Sequence, residues 1–286
     1  SFREGFHDYS IRRGGLDVYP RLIAAEHNPG FKHEQLSSSV KELDALWGGG
    51  IDRGTSTLIM GPAGCGKSTV AASYAIAAAM RGERAKIYLF DEGVETMLVR
   101  LTALGLDPAA QIKAGRLSIE QIDPAELSPG EFVARVRKQA RTEKSRIVVV
   151  DSLNGFLNSM PGEQFLAAQI HELLSYLNQM GLATIMVLAQ HGLIGQEMQS
   201  IVDVSYLADS VMLFRYFEAE GEVRQAISVL KKRSGGHERS IRELKLNGGL
   251  KVGKPLLEFR GVLSGIPESN HSTTSKTTKS RNGRKH

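Results

Sequence analysis

Three features of the sequence predict an α/β fold with a mostly parallel sheet between two helical layers, extended near its C-terminal end by an antiparallel meander. The first is Gly61-Pro62-Ala63-Gly64-Cys65-Gly66-Lys67-Ser68, which fills the pattern G-x-x-x-x-G-K-[ST] between the apolar run Ser56 to Met60 and an Ala-rich stretch. That context is a strand, a phosphate-cradling loop and a helix. The second is Arg146-Ile147-Val148-Val149-Val150-Asp151-Ser152. Its β-branched core does not alternate with polar residues, as in a central strand covered on both faces. The third is a change of pattern after Asp209, where Ser210–Phe217, Val223–Lys231 and Arg239–Leu246 are separated by Glu220-Gly221-Glu222 and Ser234-Gly235-Gly236. Extended runs joined by short Gly-containing turns read as a meander added to the sheet edge.

The remaining elements follow in order. Ser37–Leu46 has Leu43 and Leu46 at helical spacing and ends at Gly48-Gly49-Gly50. Ser68 to Met80 is apolar all round, as a helix buried against a sheet should be, and Gly82 stops it. Ala85–Phe90 reads as a strand, Val94–Leu104 as a helix closed by Gly105, and Arg116–Glu120 as a short strand. Ser128-Pro129-Gly130-Glu131 has the capping-box form with proline at the first helical position, so a helix runs to about Arg141. Phe165–Met180 is amphipathic and ends at Gly181, and Ala183–Ala189 is a further buried strand with Gln190 at its exit. Strands and helices alternating in this way build three layers.

Composition narrows the class. A chain of 286 residues with 41% hydrophobic content can bury a sizeable core. The single cysteine excludes an internal disulfide, no apolar run approaches the roughly 18–20 residues of a membrane span, and Ser1-Phe2-Arg3-Glu4 does not read as a signal peptide. A cytoplasmic location is the expectation. The net charge of +5 would suit a nucleic-acid partner, but Lys276, Lys279, Arg281, Arg284 and Lys285 against Glu268 place +4 of it in residues 268–286. That Ser/Thr-rich tail is expected to be disordered and to serve solubility, and the body is nearly neutral.

The head of the chain resembles its own tail. His7-Asp8-Tyr9-Ser10-Ile11-Arg12 followed by Gly14-Gly15-Leu16-Asp17-Val18 matches His237-Glu238-Arg239-Ser240-Ile241-Arg242 followed by Gly248-Gly249-Leu250-Lys251-Val252, with four extra residues in the second copy. Such self-similarity signals repeated units. Residues 1–20 are therefore read as the last strands of a preceding copy of the domain, 21–36 as a linker, 37–267 as the complete domain and 268–286 as the tail.

The chemistry starts at the loop. Glycines at 61, 64 and 66 let the backbone turn tightly and aim N–H groups at phosphate, Lys67 reaches the β and γ phosphates, and Ser68 offers its hydroxyl to Mg²⁺. Cys65 fits the turn as a small residue, and Thr69 completes the nucleotide-binding set, so ATP and Mg²⁺ are the expected ligands. Asp151 ends the β-branched strand at the sheet edge where α/β proteins bind ligands, as a second Mg²⁺ ligand or as a cap for the helix that follows. Asp91-Glu92 leave the strand Ala85–Phe90 at the same edge. One of them polarises the group that attacks the γ phosphate, or Asp91 caps the helix at Val94. Lys231-Lys232-Arg233 ends a strand before Ser234-Gly235-Gly236-His237, either as a solvated turn or as cations that reach a neighbour's γ phosphate in an oligomer.

Together, Gly48-Gly49-Gly50-Ile51, the phosphate loop, Asp91-Glu92, the run ending Asp151-Ser152-Leu153 and the Lys231-to-His237 turn resemble the KaiC family of RecA-like P-loop ATPases over about Phe31 to Pro267. The head is similar to the end of a first KaiC domain, which makes the complete copy the second domain of a tandem. The resemblance implies a hexameric ring with ATP between subunits and with protein partners that read the ring. It also implies Lys67 and Ser68 on ATP and Mg²⁺, Asp91-Glu92 as the catalytic acidic pair, and Lys231 and Arg233 acting in trans. Asp91 stands where the family typically has Glu. Ser205 and Tyr206 stand where the clock kinase carries its autophosphorylated serine-threonine pair, so Ser205 is the one candidate acceptor. Recombinases and hexameric helicases share the RecA-like core, but they need basic or stacking residues on the loop after Gln190. His191-Gly192-Leu193-Ile194-Gly195-Gln196-Glu197-Met198-Gln199-Ser200 has no Lys, Arg or aromatic residue, which argues against a nucleic-acid motor. A nucleotide-gated scaffold with little hydrolysis is the other alternative.

Overall fold

In the computed structural model, residues 7–24, 30–158, 166–190, 206–264 and 268–269 are described. The described part begins with a hairpin of β1 (Asp8–Arg12) and β2 (Gly15–Tyr19), followed by β3 (Gln35–Leu36), α1 (Lys41–Leu46) and β4 (Ile51–Asp52). There follow β5 (Ser56–Gly61), α2 (Lys67–Met80), β6 (Ala85–Leu89), α3 (Val94–Ala103), α4 (Pro108–Lys113), β7 (Leu117–Gln121), α5 (Pro129–Glu143), β8 (Ile147–Asp151), α6 (Leu153–Asn158), α7 (Leu166–Gln179) and β9 (Ala183–Ala189). The described part then turns to β10 (Ser210–Ala219), β11 (Glu222–Lys232), β12 (Arg242–Lys245) and β13 (Lys251–Pro255).

Among the described residues nine strands form one sheet in the order β13-β12-β11-β10-β5-β9-β8-β6-β7. From β10 to β7 all neighbours run parallel. The β10–β11, β11–β12 and β12–β13 pairs are antiparallel. The expected meander is present, but its first strand is a parallel member of the sheet, seated directly beside the phosphate-loop strand β5.

Side-chain alternation along these strands divides the core into two layers. Ile59, Ile87, Ile147, Val149, Ile185 and Val187 face α1, α2, α3 and Trp47. Leu58, Tyr88, Val148, Val150, Met186 and Leu188 face α5, α6 and α7. Tyr88 apart, each of these side chains contributes about 1.5–3 kcal/mol by leaving water. α2 is buried on nearly every side, as its Ala-rich composition predicts.

Three local expectations need correction. The helix expected from Ser37 begins at Lys41, because the Asp44 carboxylate draws Ser37–Val40 round itself. It accepts from Ser37 Oγ at 2.5 Å and from the Ser38 amide at 2.9 Å, bonds that compete with helix formation. The Ser128 cap forms, with its hydroxyl accepting from the Glu131 amide at 3.2 Å. The return half of the box is replaced, because the Glu131 carboxylate is taken by Ser10 Oγ at 2.9 Å and Arg12 Nη2 at 2.5 Å of the head hairpin. Finally, α4 and α6 are additional helices. Asp107-Pro108 starts α4 in the ordinary way, with the Asp107 carboxylate accepting from the Ala110 amide at 3.0 Å.

Candidate functional site

Strand register brings the predicted site residues to one edge of the sheet. Gly61 pairs with Ala189, Asp151 with Val187, and Leu89 with Asp151, so the phosphate loop, Asp151 and the exit of β6 lie at the C-terminal ends of parallel strands. Two of the loop glycines are obligatory. Gly61 has φ +155°, and a Cβ there would lie 2.6 Å from the Phe214 carbonyl oxygen. Gly66 has φ +96° and is the N-cap of α2, with no side chain capping the helix. The first-turn amides of a 14-residue helix, with no acidic residue among them, thus face the loop containing Gly64 and Cys65. Tyr216 of β10 braces that loop by donating its hydroxyl to the Ala63 carbonyl at 3.1 Å.

Lys67 is buried, and its Nζ donates to the Pro62 carbonyl at 2.5 Å. Burial lowers its pKa, opposed by Cys65 and Asp151. Cys65 donates its thiol to the same carbonyl at 2.9 Å, and burial raises its pKa. A buried ammonium facing a carbonyl and a thiol, at a helix N-terminus in a cradle that a Cβ would fill, fits an incoming phosphate. Thr69 is buried one position beyond Ser68.

Asp151 is buried with Ser68 beside it, an oxygen pair that suits a hard cation such as Mg²⁺. Burial pushes its carboxyl from the ordinary 3.8 up to about 6; the Ser68 hydroxyl opposes the shift and Glu92 adds to it. The folded carboxyl therefore holds its proton more tightly than the unfolded one. The associated stabilisation is complete below about pH 4 and is lost as the pH rises through 6. Asp151→Asn is expected to raise the stability of the nucleotide-free protein by up to about 3 kcal/mol at pH 7.5 and to leave it unchanged at pH 4. Urea midpoints at the two pH values check this, and a destabilised variant at pH 7.5 would contradict it.

The acidic pair does not cap α3. Gly93 is the N-cap, without a side-chain bond, so the capping alternative for Asp91 is corrected. Asp91 instead accepts from the Ser152 hydroxyl across the edge, and Glu92 accepts from both terminal nitrogens of Arg100. The Asp151 carboxyl lies beside the Ser68 hydroxyl and feels the Lys67 charge at longer range.

The cations of the turn after β11 are elsewhere. Because β11 runs antiparallel to β10, with Ser210 opposite Lys232, they sit at the end of the sheet remote from the phosphate loop. Lys231 Nζ donates to the Ala208 carbonyl at 2.7 Å, and Lys232 is buried on the Trp47 carbonyl and Asp52. Arg233 is 57% exposed, with Asp209 at 3.6 Å. Ser205 and the 191–200 loop lie outside the described residues.

The family model described as "ATPase: KaiC" matches residues 36–255. The chain belongs to the KaiC ATPase family. It is 28% identical over 258 residues to circadian clock protein KaiC3 of Synechocystis sp., covering 90% of this chain and 51% of that protein. It is 27% identical to KaiC2 of the same organism, covering 92% and 47%. Against the circadian clock oscillator protein KaiC of a Picosynechococcus species the identity is 22%, over 92% of this chain and 51% of that protein. The chain thus spans about half the length of the curated relatives it matches.

Sequence reasoning missed four residues of this KaiC-family site. Arg100 and Ser152 hold the two carboxylates, and Tyr216 braces the loop. Asn154 ties α6 to β9, donating to the Ala189 carbonyl at 3.0 Å and accepting from its amide at 2.7 Å. Only Ser152 had a local signal, as the polar residue next to Asp151; the other three meet their partners through the fold.

Proposed function

We propose that this chain is a Mg²⁺-dependent ATPase domain that works in a homo-oligomeric ring, with each ATP held between two copies. The observation that carries this reading is the separation of the chemical groups. Lys67, Ser68, Asp151, Asp91 and Glu92 share one edge of the sheet, whereas Lys231 and Arg233 occupy the opposite end. Within one chain those cations do not reach the phosphates; on a neighbour placed edge to end they do.

In this reading the loop amides and Lys67 bind the β and γ phosphates. Ser68 and Asp151 hold Mg²⁺, which when bound screens the phosphate charge. One carboxylate of the acidic pair takes a proton from the attacking water, and the neighbour's Lys231 and Arg233 stabilise negative charge on the transferring group. Transfer to Ser205 is a branch of the same reading, with the serine hydroxyl in the place of water. The clock names of the relatives extend the proposal to signalling, with the state of the ring as the output. The weak basic character of the body and the 191–200 composition favour this over a nucleic-acid motor.

A tandem arrangement belongs to the proposal. The head pairs as an antiparallel hairpin, as its sequence match β12–β13 does. One face of that hairpin carries Tyr9, Ile11, Leu16 and Val18, all more than half exposed, whereas the matching Val252 is buried and Ile241 and Leu250 pack against the core. A preceding copy of the domain would cover this face.

Subunit mixing tests the shared site. Lys67→Ala and Arg233→Ala are each expected to be inactive alone, and an equimolar mixture to regain a measurable fraction of wild-type ADP release. Failure of every mixture to recover activity, with both variants folded and able to assemble, would count against sites built from two copies.

A further inference from the structure

The two carboxylates of the acidic pair are not equivalent. Glu92 Oε2 accepts from Arg100 Nη2 at 2.8 Å and Oε1 accepts from Nη1, so both of its oxygens face one guanidinium. The pair is mostly shielded, with 23% of the Glu92 side chain and 35% of Arg100 exposed. Arg100 Nε is buried without an acceptor, and among the described residues Glu92 is the anion in ion-pair contact with this cation, Asp151 feeling its charge at longer range. Asp91 is exposed and accepts from Ser152 Oγ on Oδ2; no described donor occupies Oδ1. A carboxylate forked by arginine has an oxygen lone pair on each side committed to the guanidinium, so neither oxygen is turned toward an attacking water.

We propose that Arg100 is a positioning residue that withdraws Glu92 from proton transfer, anchors the turn between β6 and α3, and leaves Asp91 as the carboxylate that accepts the proton. The inference rests on the ATPase reading above. In the step it describes, water oxygen forms a bond to the γ phosphorus and a water proton passes to Asp91 Oδ1. The bond from phosphorus to the β,γ-bridging oxygen breaks, and ADP departs with its electron pair. The proton then returns from Asp91 to solvent or to the released phosphate, restoring the carboxylate.

The anchor lies in local geometry. Glu92 is adjacent to Asp91 in the chain, and Arg100 is in the last turn of α3, whose N-cap is Gly93. Closing the Glu92–Arg100 pair fixes the segment from Asp91 to the last turn of α3, so the direction in which Asp91 leaves β6 is set by a contact with no role in the chemistry. Small misplacements of a reacting group have large effects on rate and small effects on substrate binding.

Steady-state ATP turnover of the full chain tests this, with kcat, KM and melting temperature measured for Asp91→Asn, Glu92→Gln, Arg100→Gln, Arg100→Lys and the double variant Glu92→Gln/Arg100→Gln. Asp91→Asn is expected to lower kcat by about 100-fold or more. Glu92→Gln and Arg100→Gln should each lower kcat about 10-fold with KM nearly constant, and the double variant should match either single one. Arg100→Lys, a point charge without the fork, should recover only part of the loss. A larger loss in Glu92→Gln than in Asp91→Asn would overturn the proposal, as would multiplying effects in the double variant, an unaffected Arg100→Gln or full recovery by lysine. If Asp91→Asn and Glu92→Gln both keep normal turnover, the ATPase site itself is misassigned, whatever Arg100 does.

Discussion

Lys67→Ala weakens Mg²⁺-ATP binding by about 100-fold or more and leaves the melting temperature of the nucleotide-free protein unchanged or higher. Hydrogen bonds to charged groups contribute roughly 1.5–3 kcal/mol each, and in the function proposed above Lys67 meets more than one phosphate oxygen. Without nucleotide, the same ammonium is a buried charge whose close partners are a carbonyl and a thiol. Removing it relieves a desolvation penalty rather than breaking an ion pair, so binding and stability move separately. Titration with a fluorescent ATP analogue and a thermal melt measure both. A melting temperature lowered by several degrees would make Lys67 a structural residue and sink the argument.

Phe132→Ala lowers stability by about 3–5 kcal/mol, the range for an aromatic side chain removed from a packed core. Phe132 is buried, with ring centroids 5.3 Å from Tyr88, 5.2 Å from Phe90 and 5.5 Å from Phe156. This aromatic cluster is the floor of the acidic pair. Phe90 directly precedes Asp91, and a Cβ on Gly155 of α6 would come within 2.4 Å of the Phe90 Cβ. The cavity should therefore loosen Asp91 as well as the core, and turnover should fall further than nucleotide affinity. A melting temperature within about 2 °C of wild type would show that the site collapses without cost, contrary to the packing seen here.

The parts of this protein legible in sequence are those written by short-range rules. The phosphate loop was readable because glycine spacing, the cradling lysine and the following helix lie within a dozen residues. β8 and β9 were readable from β-branched runs, and α5 from its Ser128 and Pro129 start. The Ser37–Val40 segment was misread because a helical spacing of leucines competes with the Asp44 carboxylate, whose bonds to Ser37 and Ser38 are visible only once the chain has turned back.

By itself, the sequence determined the α/β class, the glycine-rich loop between a strand and a helix, and the membership of Asp91, Glu92 and Asp151 in one sheet edge, since each depends on local periodicity and on the polarity of parallel strands. The tertiary structure alone decided which carboxylate is forked by arginine and which meets a serine hydroxyl. Arg100 meets Glu92 on folding of the β6–α3 turn, Ser152 meets Asp91 across two strands, and the Glu131 cap is diverted to a hairpin more than a hundred residues away. It also decided that Lys231 and Arg233 stand at the far end of the sheet from the loop Gly61–Ser68. Contacts of that range follow from strand order and register, to which propensity and spacing are blind.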